Sequence, residues 1–199
     1  MEFLVKAAGT PRRVGVLAGS FHPITRAHEA LAQSALTVLD EVVLAMPRRF
    51  PHKEYERVGL ADRMDLVSQV AKANPGFSAA ITEGGLFIDM AREARAVYGG
   101  EAEFWFLCGR DAAERIIGWD YTGDRPIEEQ LREFGLLVAD RQGRFEAPLH
   151  LSDRVMRLEL TGEWNDVSAT EVRRRITEGD NWRELVPATV ADRIAALYA

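Results

Sequence analysis

The chain has 199 residues, a formal net charge of −6 at pH 7 and 47 % hydrophobic residues, an ordinary composition for a globular protein. The acidic balance excludes a polycationic nucleic-acid coat, and the single cysteine, Cys108, excludes a disulfide-stapled scaffold and favours a cytoplasmic location. No signal-peptide pattern and no apolar run of the roughly 20 residues needed to span a bilayer is found, so neither polymeric nucleic acid nor a membrane is an expected partner.

Short apolar runs alternate along the chain with amphipathic stretches of helical period, which predicts βαβ units. Strands are predicted at 13–19, 41–46, 77–82, 103–108, 135–139 and 155–160. Helices are predicted at 26–39, 60–73, 87–98, 111–118, 126–133, 169–178 and 188–198. The sequence therefore predicts an α/β fold, with one Rossmann-like, doubly wound parallel sheet in a single domain over 1–199. Residues 168–199 are predicted to form a C-terminal helical subdomain.

A turn with the sequence Gly-Ser-Phe-His-Pro-Ile-Thr-Arg-Ala-His, residues 19–28, joins the first predicted strand to the first predicted helix. Thr25 is a candidate N-cap, and His28 lies three residues later on the same helix face. Gly19 would allow close approach of the backbone to a ligand, and a helix N-terminus suits a phosphate. The turn is a candidate anion site, although a capped helix with a surface histidine explains the spacing equally well.

A second helix N-terminus is indicated at residues 168–175. Ser168 and Glu171 have the spacing of a capping box, Thr170 lies between them, and three consecutive arginines follow. Arg173 lies on the face shared with the N-terminus, so it is the arginine expected to reach a bound anion. A capped surface helix with solvated arginines would give the same pattern.

Four further positions could contact a nucleotide. Gly109 follows a predicted strand, and Asp111 could accept hydrogen bonds from a sugar or cap the next helix. Trp119 could stack on a ring or pack within the protein, and Lys53 could bind an anion or simply be solvated. Other chemistries lack their signals: there is no P-loop, no Gly-x-Gly-x-x-Gly after the first strand, no Gly-x-Ser-x-Gly elbow and no metal-site spacing of histidines.

Taken together, these segments resemble the nucleotidyltransferase superfamily. Residues 19–28 are similar to its (His/Thr)-x-Gly-His motif, and residues 168–173 to its Ile-Ser-Ser-Thr-x-x-Arg motif. The remaining segments are most similar to the bacterial nicotinate-nucleotide adenylyltransferases. In chain order they are Pro-His-Lys at 51–53, Arg63, Gly-Arg-Asp at 109–111, Trp119, Val-Ala-Asp-Arg-Gln-Gly at 138–143 and Leu-Val-Pro at 185–187.

The resemblance implies an enzyme that moves AMP from ATP to the phosphate of a pyridine mononucleotide in NAD biosynthesis and releases pyrophosphate. The transfer would be direct and in line, with Mg²⁺ carried by ATP and no dedicated metal site in the protein. The implied catalytic residues are His28, Thr25 and Arg173. The residues implied to bind ATP are Gly19, Ser20, Phe21, His28, Gly109, Asp111, Ser168, Thr170 and Arg173. The residues implied to bind the acceptor are Lys53, Trp119 and Arg141.

The sequence departs from the family pattern at several positions. His22 stands where Asp or Asn is usual, and Ala27 replaces a glycine. Residues 85–87 replace a Ser-Tyr-Thr and Asp120 replaces an aromatic residue, at positions that in the family help to recognise the pyridine ring. These substitutions lead to the hypothesis that nicotinate mononucleotide is not the preferred acceptor.

Two other interpretations stay open from the sequence: an adenylyl- or cytidylyltransferase with a different phosphate acceptor, and a non-catalytic nucleotide-binding relative. A nicotinamide-dependent oxidoreductase has less support because the glycine fingerprint is absent. A homo-oligomer is also left open.

Overall fold

The computed structural model describes residues 1–49, 58–121, 125–140, 143–160, 162 and 164–199. The strands in these residues are β1 (Glu2–Val5), β2 (Arg13–Ala18), β3 (Glu41–Pro47), β4 (Phe77–Thr82), β5 (Glu103–Gly109), β6 (Gly135–Ala139) and β7 (Val155–Leu158). The helices are α1 (Arg26–Ala35), α2 (Leu60–Ala73), α3 (Phe87–Tyr98), α4 (Arg110–Ile117), α5 (Ile127–Gln130), α6 (Ala169–Glu178) and α7 (Ala191–Tyr198). Single turns of 3₁₀ helix lie at Leu149–Leu151, Arg183–Leu185 and Ala188–Val190.

The strands form one sheet in the order β1-β4-β3-β2-β5-β6-β7. Strands β2 to β7 are parallel, and β1 pairs antiparallel with β4. From β2 the chain winds outward through β3 and β4, then returns to the other side of β2 to add β5, β6 and β7. The winding direction therefore reverses between β2 and β5, and a crevice at such a switch point is where doubly wound sheets bind ligands.

Each face of the sheet carries its own hydrophobic core. Leu17 and Leu107 belong to the cluster that packs with α1, α2, α6 and α7, whereas the adjacent residues Val16 and Phe106 belong to the cluster that packs with α3, α4 and α5. Successive strand residues point to opposite faces, so central strands covered on both faces need apolar residues at consecutive positions. This requirement explains the continuous apolar runs from which the strands were predicted.

The structure confirms the predicted α/β class and corrects some elements. Strand β1 was not predicted, and it makes the sheet mixed at that edge instead of wholly parallel. Strand β1 is only four residues long and alternates between exposed and half-buried positions. Its three apolar residues, at 3–5, form a run too short to predict a strand. Its stability as a strand depends on pairing with β4, a partner about 75 residues away in the chain, which no local pattern reveals.

Three predicted helices are shorter than expected. Helix α1 ends at Ala35 instead of residue 39, because the Thr37 hydroxyl donates to the Ser34 carbonyl (2.7 Å) and the following residues form tight turns. The helix predicted at 126–133 is reduced to α5, and the last helix begins at Ala191 after a 3₁₀ turn. No helix in the described residues is long and apolar enough to cross a membrane.

Candidate active site

The turn after β2 is tightly packed into the protein. The Gly19 N–H donates to the Ala45 carbonyl of β3 (3.0 Å) and is therefore not available to a ligand. Of the three residues at 19–21 that the resemblance assigns to ATP, Ser20 and Phe21 are left to offer a backbone N–H. A Cβ at Gly19 would lie 3.2 Å from the Phe21 ring, so the glycine permits this ring to pack closely. Phe21 is 1 % exposed with φ = 42°, a conformation uncommon for a residue other than glycine. The His22–Pro23 peptide bond is cis.

At the end of this turn, Thr25 fixes the orientation and tautomer of His28. Thr25 is the fully buried N-cap of α1, and its N–H donates to Nδ1 of His28 (3.1 Å). The Thr25 hydroxyl also lies 2.8 Å from Nδ1. Because Nδ1 accepts a backbone hydrogen bond, the proton of the neutral ring is on Nε2, which can donate to an anion. The His28 ring also makes an edge-to-face contact with the Phe21 ring, with centroids 5.2 Å apart.

The N-terminus of α6 approaches the same turn. Ser168 is the N-cap, and its hydroxyl accepts from the Glu171 N–H (3.1 Å). The Glu171 carboxylate pairs with Arg174 and Arg175, both at 2.7 Å, and these hydrogen bonds lower the pKa of Glu171 to about 2. Those two arginines are therefore engaged on their own helix.

Arg173 is the arginine of the three that contacts the turn after β2. Its Nη1 donates to the His22 carbonyl, and its Nη2 donates to the Thr170 hydroxyl (3.3 Å). The two predicted anion-binding segments, which are more than 140 residues apart in sequence, are thus in direct contact.

A cavity of about 170 Å³, hereafter the inner pocket, lies between these segments. Its lining residues are Thr25, Ala27, His28, Leu31, Gly109, Ala139, Leu160, Trp164, Val167, Ser168 and Ala169. The inner pocket therefore joins the N-termini of α1 and α6 to the carboxyl ends of β5 and β6, at the switch point of the sheet. Helix N-termini present N–H groups and a positive dipole end, so their convergence favours a polyanion.

Gly109 and Trp164 complete the wall of the inner pocket. A Cβ at Gly109 would meet nothing within 4 Å, so the absence of a side chain there leaves open space beside the backbone. Trp164, whose ring lies 5.3 Å from the Arg26 guanidinium, was not singled out from the sequence. Trp164 lies in a segment without regular periodicity, so no local pattern marks it. Its closeness to the α6 motif, four residues before Ser168, is the one sequence signal that could have indicated it.

The side chain of His22, within the same turn, packs against α7 close to two positive groups. Its ring centroid is 5.2 Å from that of Tyr198 in α7. Burial, and then the nearby charges of Arg173 and Arg63, lower the pKa of His22 to about 4. His22 is therefore neutral at physiological pH, where the usual residue of the family would be an acid or its amide.

A second cavity of about 480 Å³, hereafter the outer pocket, lies between the first turns of α3, the end of α4, and α5. Its wall combines aromatic and apolar side chains with a few charges: Gly85, Leu86, Phe87, Ile88, Asp89, Arg92, Ile116, Trp119, Tyr121, Arg125, Ile127, Gln130 and Phe134. Phe87 stacks on Phe106 with ring centroids 4.2 Å apart, and Trp119 is 68 % exposed at the rim. Residues 85–87, which are among those that depart from the family pattern, all lie in this wall.

The structure separates some of the predicted residues from the inner pocket. Asp111 is 66 % exposed and shares an open groove with Trp119 and Asp120. The N-cap of α4 is Gly109, so the alternative prediction of Asp111 as a cap is wrong. Lys53 and Arg141, the predicted acceptor-binding cations, lie outside the described residues.

Comparison with known proteins agrees with this geometry. The cytidylyltransferase-like family model matches residues 16–175, a span that contains both helix N-termini of the inner pocket. This match covers more than half of the chain, so the chain belongs to the cytidylyltransferase-like family. With its doubly wound sheet and two helix N-termini at the switch point, the protein is a nucleotidyltransferase.

The relatives within that family are more specific. The chain is 33 % identical to a probable nicotinate-nucleotide adenylyltransferase of Rubrobacter xylanophilus, over 92 % of this chain and 89 % of that protein. It is 32 % identical to a probable nicotinate-nucleotide adenylyltransferase of Thermus thermophilus, over 89 % and 94 % of the two chains. Its fold is similar to that of Plasmodium falciparum nicotinic acid mononucleotide adenylyltransferase complexed with NaAD, with a TM-score of 0.69, 16 % identity and coverage of 94 % and 98 %.

Proposed function

We propose that the protein transfers AMP from ATP to nicotinate mononucleotide and releases pyrophosphate, a step of NAD biosynthesis. The observation that carries this proposal is the inner pocket, in which His28 of α1 and Ser168 of α6 line one cavity. The names of the relatives support the choice of substrates. The cytoplasmic location expected from the composition stays a prediction.

The reaction needs positioning and charge stabilisation more than a nucleophile from the protein. A phosphate oxygen of the acceptor attacks the α-phosphorus of ATP, and the bond from that phosphorus to the bridging oxygen breaks, so pyrophosphate leaves with the electron pair. We assign the Nε2–H of His28 to the α-phosphate, where charge builds up, with Thr25 holding the ring. Ser168, Thr170 and Arg173 are assigned to the departing phosphates.

ATP would bring Mg²⁺ to this site. The described lining of the inner pocket contains hydroxyls and an imidazole but no carboxylate, so the ion would be held mainly by phosphate oxygens and water. When bound, Mg²⁺ neutralises phosphate charge. No group of three or more His, Cys, Asp and Glu side chains suited to a metal ion occurs in the part of the chain that the structure describes.

The outer pocket is the proposed site of the acceptor's ring. Its aromatic wall suits a planar heterocycle, and Trp119 is placed at the rim to stack on one face. Arg92 and Arg125 both lie against the same carboxylate oxygen of Glu133, at 3.4 and 3.0 Å. Arg95 pairs with Glu133 as well (3.4 Å), so three guanidinium groups share one carboxylate. Asp89 also lies in the wall, so the three arginines against Asp89 and Glu133 leave one positive charge in excess. This excess favours a ring that carries a carboxylate over one that carries an amide.

This argument runs against the hypothesis drawn from residues 85–87, and one experiment decides between them. Pyrophosphate release from Mg-ATP is measured with nicotinate mononucleotide, nicotinamide mononucleotide and phosphopantetheine supplied separately. We expect nicotinate mononucleotide to have a kcat/KM at least about tenfold above the other two, because a charge-assisted hydrogen bond contributes about that factor.

Two variants show whether the arginines make this distinction. Arg92→Met and Arg125→Met are expected to reduce the preference for nicotinate and leave the KM of ATP unchanged. Arg132→Met, an exposed arginine beyond the pocket wall, is the control. Equal losses with both pyridine acceptors would mean that the arginines hold the shared phosphate. Binding of ATP without pyrophosphate release in the presence of any of the three acceptors would contradict the proposal and indicate a different acceptor or a non-catalytic relative.

A further inference from the structure

We infer that Arg63 of α2 is a positioning residue for the ATP-binding turn after β2, an assignment that rests on the proposed function for the identity of the ligand. Arg63 is 3 % exposed, and its Nη1 donates to the Ser20 carbonyl (2.7 Å). Its Nε donates to the carbonyl of Gly59 (3.3 Å), the N-cap of its own helix. One buried guanidinium thus joins the start of α2 to the middle of the turn.

This contact determines which way a peptide group of the turn faces. In a planar trans peptide the C=O and N–H bonds point to opposite sides. The Ser20 carbonyl is directed at Arg63, so the N–H of Phe21 is directed away from it. The Gly19 N–H is engaged with Ala45, and the Ser20 N–H belongs to the preceding peptide. The orientation of the Ser20–Phe21 peptide therefore decides whether the Phe21 N–H can face a phosphate.

Two guanidinium groups hold the turn, one on each side of Phe21. Arg63 binds the Ser20 carbonyl, and Arg173 binds the carbonyl of His22. The Phe21 ring in turn contacts the His28 ring edge-on. A shift of Phe21 is therefore transmitted both to its own N–H and to the imidazole of His28, although Arg63 does not line the inner pocket.

The placement of a positive charge behind the turn has a second effect. Arg63 and Arg173 both act on His22, which burial and these charges keep neutral. The guanidinium groups bind carbonyl oxygens of the turn, and carbonyl oxygens would otherwise repel a phosphate. Arg63 therefore both orients the turn and offsets the negative ends of its peptide dipoles.

The test compares Arg63→Met, Arg63→Lys and Arg193→Met. Arg193 is a matched control because it also binds α2, through Asp62 and Asp65, but is 46 % exposed and lies outside the site. The readouts are the KM of ATP and of the acceptor, and the Kd of a non-hydrolysable ATP analogue measured without acceptor. We expect Arg63→Met to raise the KM and Kd of the nucleotide by about tenfold or more and to change the acceptor KM by less than about threefold. Arg63→Lys keeps the positive charge and a hydrogen-bond donor but loses the guanidinium fork, so its nucleotide KM and Kd should lie between those of Arg63→Met and the wild type.

An equal rise of both KM values, or an unchanged nucleotide Kd in a folded Arg63→Met, would overturn the inference. If Arg63→Met does not fold, Arg63→Lys decides: a wild-type nucleotide Kd would overturn the inference, and a raised one would support it. If the wild type binds the nucleotide but transfers no AMP, the proposed function fails, and the Kd comparison still decides the role of Arg63. If the wild type binds no nucleotide, both fail.

Discussion

The inner and outer pockets differ in how firmly the protein sets them before any ligand arrives. The inner pocket is built on a fully buried Thr25 and on hydrogen bonds that fix the His28 ring and the Ser168 cap. The outer pocket has an exposed Trp119 at its rim and arginines that share one carboxylate. Rigid donors suit a step whose charge develops at a fixed place, whereas an open aromatic wall suits recognition of a ring. We therefore propose that the inner pocket determines the rate of transfer and that the outer pocket determines the choice of acceptor.

The largest expected effect comes from removing the imidazole of the inner pocket. We expect His28→Ala to lower kcat by about 10² or more, because one preorganised donor to developing charge contributes on that order. Pyrophosphate release at saturating substrates measures this, with the exposed His150→Ala as control. Near-wild-type turnover in folded His28→Ala would remove the inner pocket from the chemistry.

Two neighbouring arginines of α6 test whether a specific contact at the inner pocket, and not the charge of the helix, supports the reaction. Arg173→Ala should lower kcat/KM for ATP by about 10- to 100-fold, the range for a hydrogen bond to a charged group. Arg174→Ala should change it little, because that guanidinium pairs with Glu171 and Glu178 on the helix surface. Similar losses in the two variants would indicate that helix α6 acts through its overall charge and not through the Arg173 contact.

The rim of the outer pocket provides the converse test. Trp119→Ala should raise the KM of the acceptor by about tenfold, since stacking of one base on an aromatic side chain contributes about 1–3 kcal/mol, and should leave the KM of ATP unchanged. Trp119→Phe keeps a stacking surface and should restore most of the affinity. A change in the KM of ATP with no change in the KM of the acceptor would mean that the outer pocket binds ATP and not the acceptor.

The last expected effect concerns stability and not activity. The pKa of His22 is about 4 in the folded protein and about 6.5 in an unfolded chain, so between these pH values the unfolded state binds more protons. The free energy of unfolding should therefore fall as the pH is lowered from 6.5 to 4. Urea unfolding across this range should show a shallower fall for His22→Asn than for the wild type and for the exposed His150→Asn. Parallel curves for all three would show that His22 is not held neutral behind the turn.

Much of the fold follows from local pattern, and so does the inner pocket. Helices α2, α3 and α6 begin and end at the predicted residues, because each has clear helical periodicity between well-marked ends. Thr25 and His28 lie within one turn of helix, as do Ser168 and Thr170, so their spacing alone brings each pair together. Contact between the two segments depends on the winding of the sheet, which the alternation of strands and helices predicts in outline.

The outer pocket and the support of the turn could not be predicted in the same way. Arg63 acts on Ser20 across 43 positions of sequence, and Arg92 meets Arg125 only through Glu133. These contacts depend on packing between separate elements, and no spacing rule connects the residues. The same reason explains why β1 was missed, since its partner β4 lies about 75 residues away in the chain.

Gly15 and Gly109, in neighbouring strands β2 and β5, are glycines for different reasons: one for packing and the other for open space beside a ligand. A Cβ at Gly15 would lie 2.7 Å from Leu39 and 2.8 Å from Leu107, so folding itself demands the glycine. At Gly109 an added methyl would meet nothing and the backbone is extended, so a stability screen would accept alanine there. A library of variants sorted only for folding should therefore lose the glycine at 109 and keep the one at 15, and only sorting for nucleotide binding should retain both.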